Sequence, residues 1–238
     1  MIKHRWRSDV TVELLHTNQA SDAQVAMAAR VSTQGGGSRY DTSEVRGLIN
    51  YLMANRHGSP FEHSVFTFYI EAPIFVWREF MRHRIASYNE ESGRYKQLEP
   101  TFYIPSRDRN IIQEGKAGHY NFKAGTTDQH EDIERIQKNS NMLAYDGYMF
   151  LLKQGVAREV ARMHLPLNIY SSAYVTLNAR ALMNFLSLRV KATRDEGAWF
   201  ESYPQREIEM VAEKMEHMFS LQMPLTHGAF ITKGRVAP

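Results

Sequence analysis

Helical and β-sheet hydrophobic patterns alternate along this chain and predict a protein of mixed architecture. Apolar residues recur at helical spacing and predict helices over residues 21–28, 43–58, 129–153, 156–163, 178–190 and 204–219. β-Branched and aromatic runs predict strands over residues 11–17, 64–72 and 169–177. These elements follow one another irregularly, without internal repeats or a linker. The pattern therefore favours an α+β fold and one domain over residues 1–238.

Local signals refine this pattern. Ser21 and Ser43 are small polar residues that can cap the helices they precede. The stretch 107–130 combines scattered charges with glycines, and it predicts a loop or lid, which we expect to be the most mobile part of the chain. The long helix that follows has its candidate core residues at Ile133, Ile136, Met142, Tyr145, Met149 and Leu152.

A further helix is predicted directly after the strand at 64–72. Pro73 suits the first position of a helix. The apolar residues that follow share one helical face, and they are Ile74, Trp77, Met81 and Ile85. In mid-helix, Arg82 and Arg84 would point to different sides, because each residue turns the chain by about 100°. To converge on one ligand, both arginines must lie at a helix end or on the loop beyond it.

The residues from 82 to 95 form a dense set of hydrogen-bond donors. Arginine, histidine, serine and asparagine side chains in one short stretch suit an anionic ligand that carries hydroxyl groups. The Ser-Gly-Arg sequence at 92–94 predicts a turn in which backbone donors can approach such a ligand closely. The alternative is a solvated basic surface, which the regular placement of the polar residues disfavours.

Composition narrows the possible chemistry. The chain has 238 residues, of which 43% are apolar, and it contains no cysteine. Disulfides, thiolate metal sites and cysteine nucleophiles are therefore excluded. No apolar run is long enough for a membrane span, and the first residues lack a secretory apolar stretch, which favours the cytoplasm. The formal net charge of +3 suits small anionic ligands and is too small to imply nucleic acid.

One motif makes a family resemblance specific. Residues 82–94 fit the pattern Arg-His-Arg-x-x-Ser-x-Asn-x-x-Ser-x-Arg. This pattern resembles the signature of the flavin-dependent thymidylate synthases, which methylate dUMP with methylenetetrahydrofolate and a reduced flavin. The resemblance extends to Ser59-Pro60-Phe61-Glu62-His63, to Leu165-Pro166-Leu167-Asn168 and to the helix predicted over 178–190.

The resemblance implies a central, mostly antiparallel sheet flanked by long helices. It also implies one set of residues that contacts dUMP and one that contacts FAD, without a metal site. For dUMP these are Glu79, Phe80, Met81, Arg82, Glu90, Glu91, Ser92, Gly93, Arg94, Arg162 and Arg189. For FAD they are Ser59, Glu62, Arg82, His83, Arg84, Glu90, Asn178, Arg180 and Asn184. From spacing alone, the last three residues equally suit a capped helix with an exposed polar stripe. His57 and His63 are six residues apart without a third ligand, so structural or flavin-neighbouring roles are favoured over metal binding.

Arg189 shares a helical face with Leu182 and Phe185. Spacing alone leaves two interpretations: an arginine that extends from the rim to solvent, or a guanidinium held in a dry site. The resemblance implies that this arginine holds the uracil base and favours its ionised ring, which makes Arg189 the catalytic residue. A fixed cation in a low-dielectric site stabilises the negative charge that develops on the heterocycle.

The implied reaction converts dUMP to dTMP, with methylenetetrahydrofolate as one-carbon donor and FAD reduced by NADPH. The resemblance also implies a homotetramer with sites shared between subunits, without nucleic-acid or membrane partners. Sharing accounts for the lack of a dinucleotide-binding Gly-x-Gly-x-x-Gly in one chain.

Two departures from the family pattern affect the predicted site. Some relatives have Gln where this chain has Glu79. Many relatives have His-Ala-Gln-Trp-Glu-Ile where this chain has Tyr203-Pro204-Gln205-Arg206-Glu207-Ile208, after an extra segment at 193–202. The flavin-contacting histidine of the family is therefore absent here or replaced by Tyr203.

Two rival functions stay open at this point. An RNA-binding module would use Arg82, Arg84 and Arg94 with Tyr88 and Tyr95 as a basic and aromatic surface. A paralogue that keeps the fold without activity is the other rival. Purified protein with a flavin spectrum that dUMP perturbs would favour the enzyme.

Overall fold

The computed structural model describes residues 2–16, 20–35, 44–116 and 119–238. Within these ranges the strands are β1 (Arg5–Arg7), β2 (Thr11–His16), β3 (Val65–Pro73), β4 (Ser87–Glu90), β5 (Thr101–Tyr103), β6 (Ile112–Lys116), β7 (His119–Lys123) and β8 (Tyr170–Asn178). The α-helices are α1 (Asp22–Gln34), α2 (Val45–Ala54), α3 (Ile74–Phe80), α4 (Thr127–Lys153), α5 (Arg158–Ala161), α6 (Ala179–Arg189), α7 (Arg206–Gln222) and α8 (Pro224–Thr232). Short 3₁₀ turns cover Ser59–His63 and Arg162–His164.

The central sheet has the strand order β2-β3-β8-β4. β2 pairs antiparallel with β3, and β4 pairs antiparallel with β8. Two smaller sheets accompany it: β1 lies parallel to β5, and β6 forms an antiparallel hairpin with β7. The predicted α+β fold with a mostly antiparallel central sheet is confirmed.

The chain divides into two compact units. The first consists of Met1–Asp9, Pro73–Phe75 and Glu91–Ser171, and the second of Val10–Ala72, Val76–Glu90 and Ser172–Pro238. The first unit has an apolar core built around Leu98, Phe102, Tyr145, Tyr148, Ala161 and Ile169. The prediction of one domain over the whole chain stays a prediction.

The second unit builds its core from the buried face of β3 and the helices α6 and α7. Every second residue of β3 is buried, as expected for a strand with one face against a core. Phe66 stacks on Phe68 and meets the edge of Phe219, which lies on α7. α7 also contacts β2, α6 and α8, so it links the central sheet to two further helices of this unit.

Helix starts follow the polar caps that the sequence contains. The side chain of Ser21 accepts a hydrogen bond from the Gln24 amide, as predicted. The Asn178 side chain caps α6 in the same way through the Ala181 amide. Thr126 and Gln129 form a reciprocal capping box at the start of α4. Ser43, the predicted cap of α2, lies outside the described residues.

The helix after β3 is shorter than predicted. α3 ends at Phe80, where the amides of Arg82 and His83 turn to the carbonyls three residues before them. Such bonds tighten and close a last helical turn. Met81 and Ile85 lie beyond α3 and are 40% and 73% exposed, so their predicted place on the apolar face of this helix is wrong. The arginines of the motif do lie beyond the helix end, as predicted.

The region 107–130 is not the irregular loop that its glycines suggested. β6 and β7 form a hairpin in which Gly115 lies opposite Tyr120. Tyr120 and Phe122 are two residues apart on one strand and their rings lie 6.4 Å apart. This alternation is too short to outweigh the glycines in a sequence pattern. The mobility of the region stays a prediction.

The core face of α4 also differs from the prediction at two positions. Tyr145 is buried as expected, but Ile136 is 55% exposed and Met142 is 36% exposed. The buried face instead includes Asn141 and Tyr148. Helical spacing defines which residues share a face. On a helix with apolar residues on two sides, however, it does not define which side is buried against the rest of the protein.

Candidate active site

Arg189 is held by two side chains from the end of α3 and the turn after it. Its Nη1 lies 2.8 Å from Glu79 Oε2, and its Nε donates to His83 Nε2 at 3.1 Å. The Arg189 side chain is 20% exposed and that of Glu79 is 30% exposed. The guanidinium is therefore fixed at two points and largely withdrawn from water.

His83 is neutral in this arrangement. Burial and, to a smaller extent, the positive charge of Arg189 together lower its pKa to about 4. Because Nε2 accepts the bond from Arg189, the ring proton lies on Nδ1. A neutral acceptor orients the guanidinium without cancelling its charge, which a second carboxylate would do.

Core aromatic residues position this cluster. Phe80, the last residue of α3, stacks on Phe185 of α6 with ring centroids 4.4 Å apart. The His83 ring meets the same Phe185 edge-on at 4.9 Å. Tyr88 on β4 donates its hydroxyl to the His83 carbonyl at 2.7 Å and to the Phe80 carbonyl at 3.2 Å. Burial raises the pKa of Tyr88 to about 12, so the hydroxyl keeps its proton.

A second basic cluster lies in the first unit. Ser92 Oγ accepts a hydrogen bond from the Arg94 amide, and the Tyr95 and Lys96 amides bond to the Ser92 carbonyl. These bonds form the turn predicted at 92–94. A Cβ on Gly93 would lie 3.3 Å from Arg162 Cδ, so a glycine lets the arginine stem approach this turn. Arg94 Nε is bound to Glu159 at 3.0 Å, and both side chains are about half exposed.

Arg180 forms a third group with Glu62. The Arg180 Nη1 lies 2.6 Å from Glu62 Oε1, and its Nε donates to the Pro238 carbonyl at 2.6 Å. Arg180 lies on α6 and Glu62 lies on the 3₁₀ turn Ser59–His63. Each of the two side chains is less than half exposed. Two of the predicted FAD contacts, Glu62 and Arg180, thus meet.

The remaining predicted residues lie in varied surroundings. Met81, Arg82, Arg84, Glu90 and Asn184 are exposed, and Ser59 is exposed on the 3₁₀ turn. Glu91 forms an ion pair with Lys96 at 2.8 Å. Phe80 has its side chain in the core, so only its backbone can face a ligand. Asn178 uses its side-chain oxygen to cap α6, which leaves its amide nitrogen for a ligand.

The structure also places His57 and His63, which were considered as metal ligands, and Tyr203, the possible replacement for the family histidine. His57 and His63 are exposed, and no group of three metal-binding side chains occurs within the described ranges. Tyr203 is exposed and donates its hydroxyl to Glu201, which raises its pKa. The extra segment at 193–202 is closed by a bridge between Ala192 and Ser202.

Comparisons with known proteins identify the family of this chain. The family model described as thymidylate synthase complementing protein matches residues 13–225. A flavin-dependent thymidylate synthase from Streptomyces avermitilis is 55% identical, covering 100% of this chain and 97% of the relative. One from Tropheryma whipplei is also 55% identical, over 97% of this chain and 96% of the relative.

The chain belongs to the flavin-dependent thymidylate synthases. A solved structure of the same fold is a UMP/dUMP methylase, PolB from Streptomyces cacaoi, bound with 5-Br UMP. It has a TM-score of 0.91 and 50% sequence identity and covers 99% of this chain and 100% of its own. The same methylase bound with 5-Br dUMP also has a TM-score of 0.91.

As a flavin-dependent thymidylate synthase, the chain contains site residues that its sequence pattern did not reveal. Tyr88 was seen as a possible surface aromatic, whereas its hydroxyl fixes the turn at 80–83. Glu159 carries no signal apart from its charge, yet it binds Arg94. Gly58 is required because a Cβ there would lie within 2.6 Å of Arg180 Cζ and of the Pro238 oxygen.

The residues present fit a flavin nucleotide. Because Gly58 has no side chain, the Arg180 guanidinium can lie directly against its backbone. This guanidinium supplies donors of the kind that bind phosphate. α6 begins beside this arginine, and a helix start favours anions.

Within the described chain, no helix is both long and apolar enough to span a membrane.

Proposed function

We propose that this chain converts dUMP to dTMP by reductive methylation, with FAD, methylenetetrahydrofolate as one-carbon donor and NADPH as reductant. The observation that carries the proposal is the half-buried guanidinium of Arg189, fixed by Glu79 and neutral His83. Bound FAD, once reduced by NADPH, would supply the hydride that completes the methyl group. The chain contributes binding, orientation and electrostatic stabilisation.

The uracil ring is the proposed ligand of the Arg189 cluster. A guanidinium held at two points has its remaining donors in fixed directions, which suits a planar acceptor such as a pyrimidine carbonyl. Negative charge that develops on the ring is stabilised by this cation without prior rearrangement. Because the chain contains no cysteine, the ring is activated by charge stabilisation and not by a thiolate.

The phosphate of dUMP is the proposed ligand of Ser92, Gly93, Arg94 and Arg162. Arg162 has no ion pair among the described residues, whereas Arg94 uses only its Nε for Glu159. Both arginines therefore have terminal donors for a phosphate oxygen. Each charge-assisted bond of this kind contributes about 1.5–3 kcal/mol. Glu79, Arg82 and Glu90 complete the proposed nucleotide contacts.

The flavin is the proposed ligand of the Arg180 group. Arg180, Asn178 and Asn184 of α6 present polar groups near its start, and Ser59 and Glu62 lie on the 3₁₀ turn that contacts α6. His83 and Arg84 extend these contacts from the motif. The neutral His83 ring suits a site beside an uncharged part of the cofactor.

The proposed oligomer is a homotetramer with sites shared between subunits. Exposed apolar residues recur every seven positions on α4, and they are Ile136, Leu143 and Phe150. A seven-residue repeat forms one stripe along a helix, which is typical of helix pairing. Such a stripe supports burial against a second copy of this chain. The cytoplasm is the proposed compartment.

The experiment that tests the function is tritium release from dUMP labelled on the uracil ring. The assay contains protein, FAD, NADPH and methylenetetrahydrofolate, and each component is omitted in turn. UMP is tested in parallel, because the PolB relative is named a UMP/dUMP methylase. Release that requires every component supports the proposal. Flavin-free protein that binds RNA with a steep salt dependence would support the rival module instead.

A further inference from the structure

The segment from Gly234 to Pro238 is attached to the second unit by a chain of polar contacts that ends at Arg180. Arg56 donates from Nη1 to the Val236 carbonyl at 2.8 Å. Arg180 donates from Nε to the Pro238 carbonyl at 2.6 Å. The segment therefore holds the guanidinium from the side opposite Glu62, which binds Nη1.

The start of this segment is fixed by a half-buried ion pair. Arg235 binds Glu216 through two parallel bonds of 2.9 Å each, and both side chains are 14% exposed. His227 bonds to the same carboxylate at 3.1 Å. Burial alone would raise the pKa of Glu216, but the bonds from His227 and Arg235 outweigh it and the pKa is lowered. The carboxylate thus stays charged and retains Arg235.

The extra segment at 193–202 supports the same structure. The Trp199 amide donates to the Gly234 carbonyl at 2.9 Å, and a Cβ on Gly234 would lie 3.2 Å from Trp199 Cβ. Glu196 bonds to both the amide and the hydroxyl of Thr193, which stabilises the turn that presents Trp199. The segment at 193–202 therefore contacts Gly234, the first residue of the 234–238 segment.

Backbone conformation provides an independent observation. Among the described residues, Arg56 and Arg235 are the non-glycine residues with positive φ, at 58° and 55°. Left-handed backbone is unfavourable for arginine, and such residues persist only where surrounding contacts enforce them. Both of them belong to the attachment of this one segment.

We propose that residues 234–238 act as a brace that positions Arg180 for an anionic group of the flavin, and that the insertion at 193–202 secures the brace. The proposal rests on the proposed function in assigning Arg180 to the flavin. Arg56, Gly58 and Arg235 are positioning residues: they act through Arg180. A guanidinium that is already oriented loses less conformational freedom on binding, so affinity increases.

The test uses Gly58→Ala, whose Cβ would lie within 2.6 Å of Arg180 Cζ and the Pro238 oxygen. It displaces the guanidinium without changing charge. Gly47→Ala is the matched control, because a Cβ there meets nothing within 4 Å. Arg56→Met releases the brace at Val236, and Arg46→Met removes the same charge from the exposed surface of α2 as its control. Flavin dissociation constants are measured by fluorescence quenching of FAD with the full chain.

The expected result is a flavin dissociation constant raised about tenfold by Gly58→Ala and by Arg56→Met, the size of one oriented charge-assisted bond. The two controls are expected to keep the original constant. Combining Gly58→Ala with Arg180→Met should add nothing to Arg180→Met alone, because residues that act through one group are not additive. A merely structural role for Gly58 would instead lower the melting temperature and add to the Arg180→Met effect.

Failure of the two proposals gives different results. If Arg180→Met weakens flavin binding while Gly58→Ala and Arg56→Met do not, the brace is refuted and the flavin role of Arg180 stands. If Arg180→Met leaves flavin binding unchanged, that role is wrong and the brace is refuted with it. Arg56 is exposed, so its variant keeps the test decisive if Gly58→Ala does not fold.

Discussion

Replacing Arg189 by alanine is the most direct test of the site. The guanidinium bonds to Glu79 at 2.8 Å and to His83 at 3.1 Å. A preorganised donor aimed at developing charge contributes about 2.7–4 kcal/mol to transition-state stabilisation. We therefore expect turnover to fall by about 100- to 1,000-fold. FAD is expected to stay bound, because the proposed flavin contacts Asn178, Arg180 and Asn184 at and after the start of α6 are unchanged.

The effect on folding is expected to be small by comparison. Glu79 loses its partner, but its side chain is 30% exposed and water can solvate it. The cost is therefore at the low end of the range for a lost charged partner, about 1 kcal/mol. For a chain of this length, such a loss lowers the melting temperature by about 2–4 °C. Turnover and melting temperature thus separate a catalytic role from a structural one.

The assay is tritium release from ring-labelled dUMP, with the flavin spectrum and melting temperature measured on the same samples. Arg135→Ala is the matched control, since this arginine forms a surface pair with Asp132 on α4. Arg189→Lys keeps the charge but replaces a rigid fork by a single ammonium, so its turnover is expected to lie between those of the wild type and Arg189→Ala. Near-normal turnover in Arg189→Ala would refute the catalytic assignment.

Three further predictions follow from the other contacts. The pKa of His83 is about 4 in the folded protein against 6.5 for the free side chain; the fold favours the neutral ring, so stability present above pH 6.5 is lost as pH falls toward 4. Urea midpoints across this window should fall more in the wild type than in His83→Gln, and equal slopes would contradict the burial argument. Asn178→Ala removes the α6 cap and is expected to cost about 1 kcal/mol in unfolding of the apoprotein, whereas Asn178→Asp should retain most of it. Leu143→Glu places a charge in the α4 stripe, where Leu143 is 75% exposed; if the proposed oligomer uses this stripe, sedimentation should show smaller species than for Leu143→Met. An unchanged sedimentation coefficient would exclude this face from the interface.

Sequence predicted the elements with strong local signals. Ser21 and Asn178 fixed two helix starts through hydrogen bonds within their own turns. β3 and β8 were predicted from long β-branched and aromatic runs. The spacing of Arg82 and Arg84 predicted that they lie at or beyond a helix end, because in mid-helix the two side chains would point to different sides. These signals are local, so one sequence is sufficient to detect them.

What the sequence did not predict depends on contacts between distant residues. The turn that ends α3 at Phe80 is held by Tyr88 on β4, whose hydroxyl donates to the carbonyls of Phe80 and His83. Helix α8 was missed because its apolar residues lie on several sides. The contact between Arg180 and Pro238 joins residues separated by 58 positions, and neither residue carries a signal for the other.

Phe185 shows how core packing positions the side chains around Arg189. Its ring is stacked on Phe80 and meets the edge of His83, and it lies one helical turn before Arg189. The same buried residue therefore sets the distance between the end of α3 and the end of α6. Because buried aromatic rings have few alternative positions in a dense core, Glu79 and His83 approach Arg189 in one register. The orientation of the Arg189 guanidinium is thus a consequence of apolar packing, and the polar contacts act on a geometry that the core has already fixed.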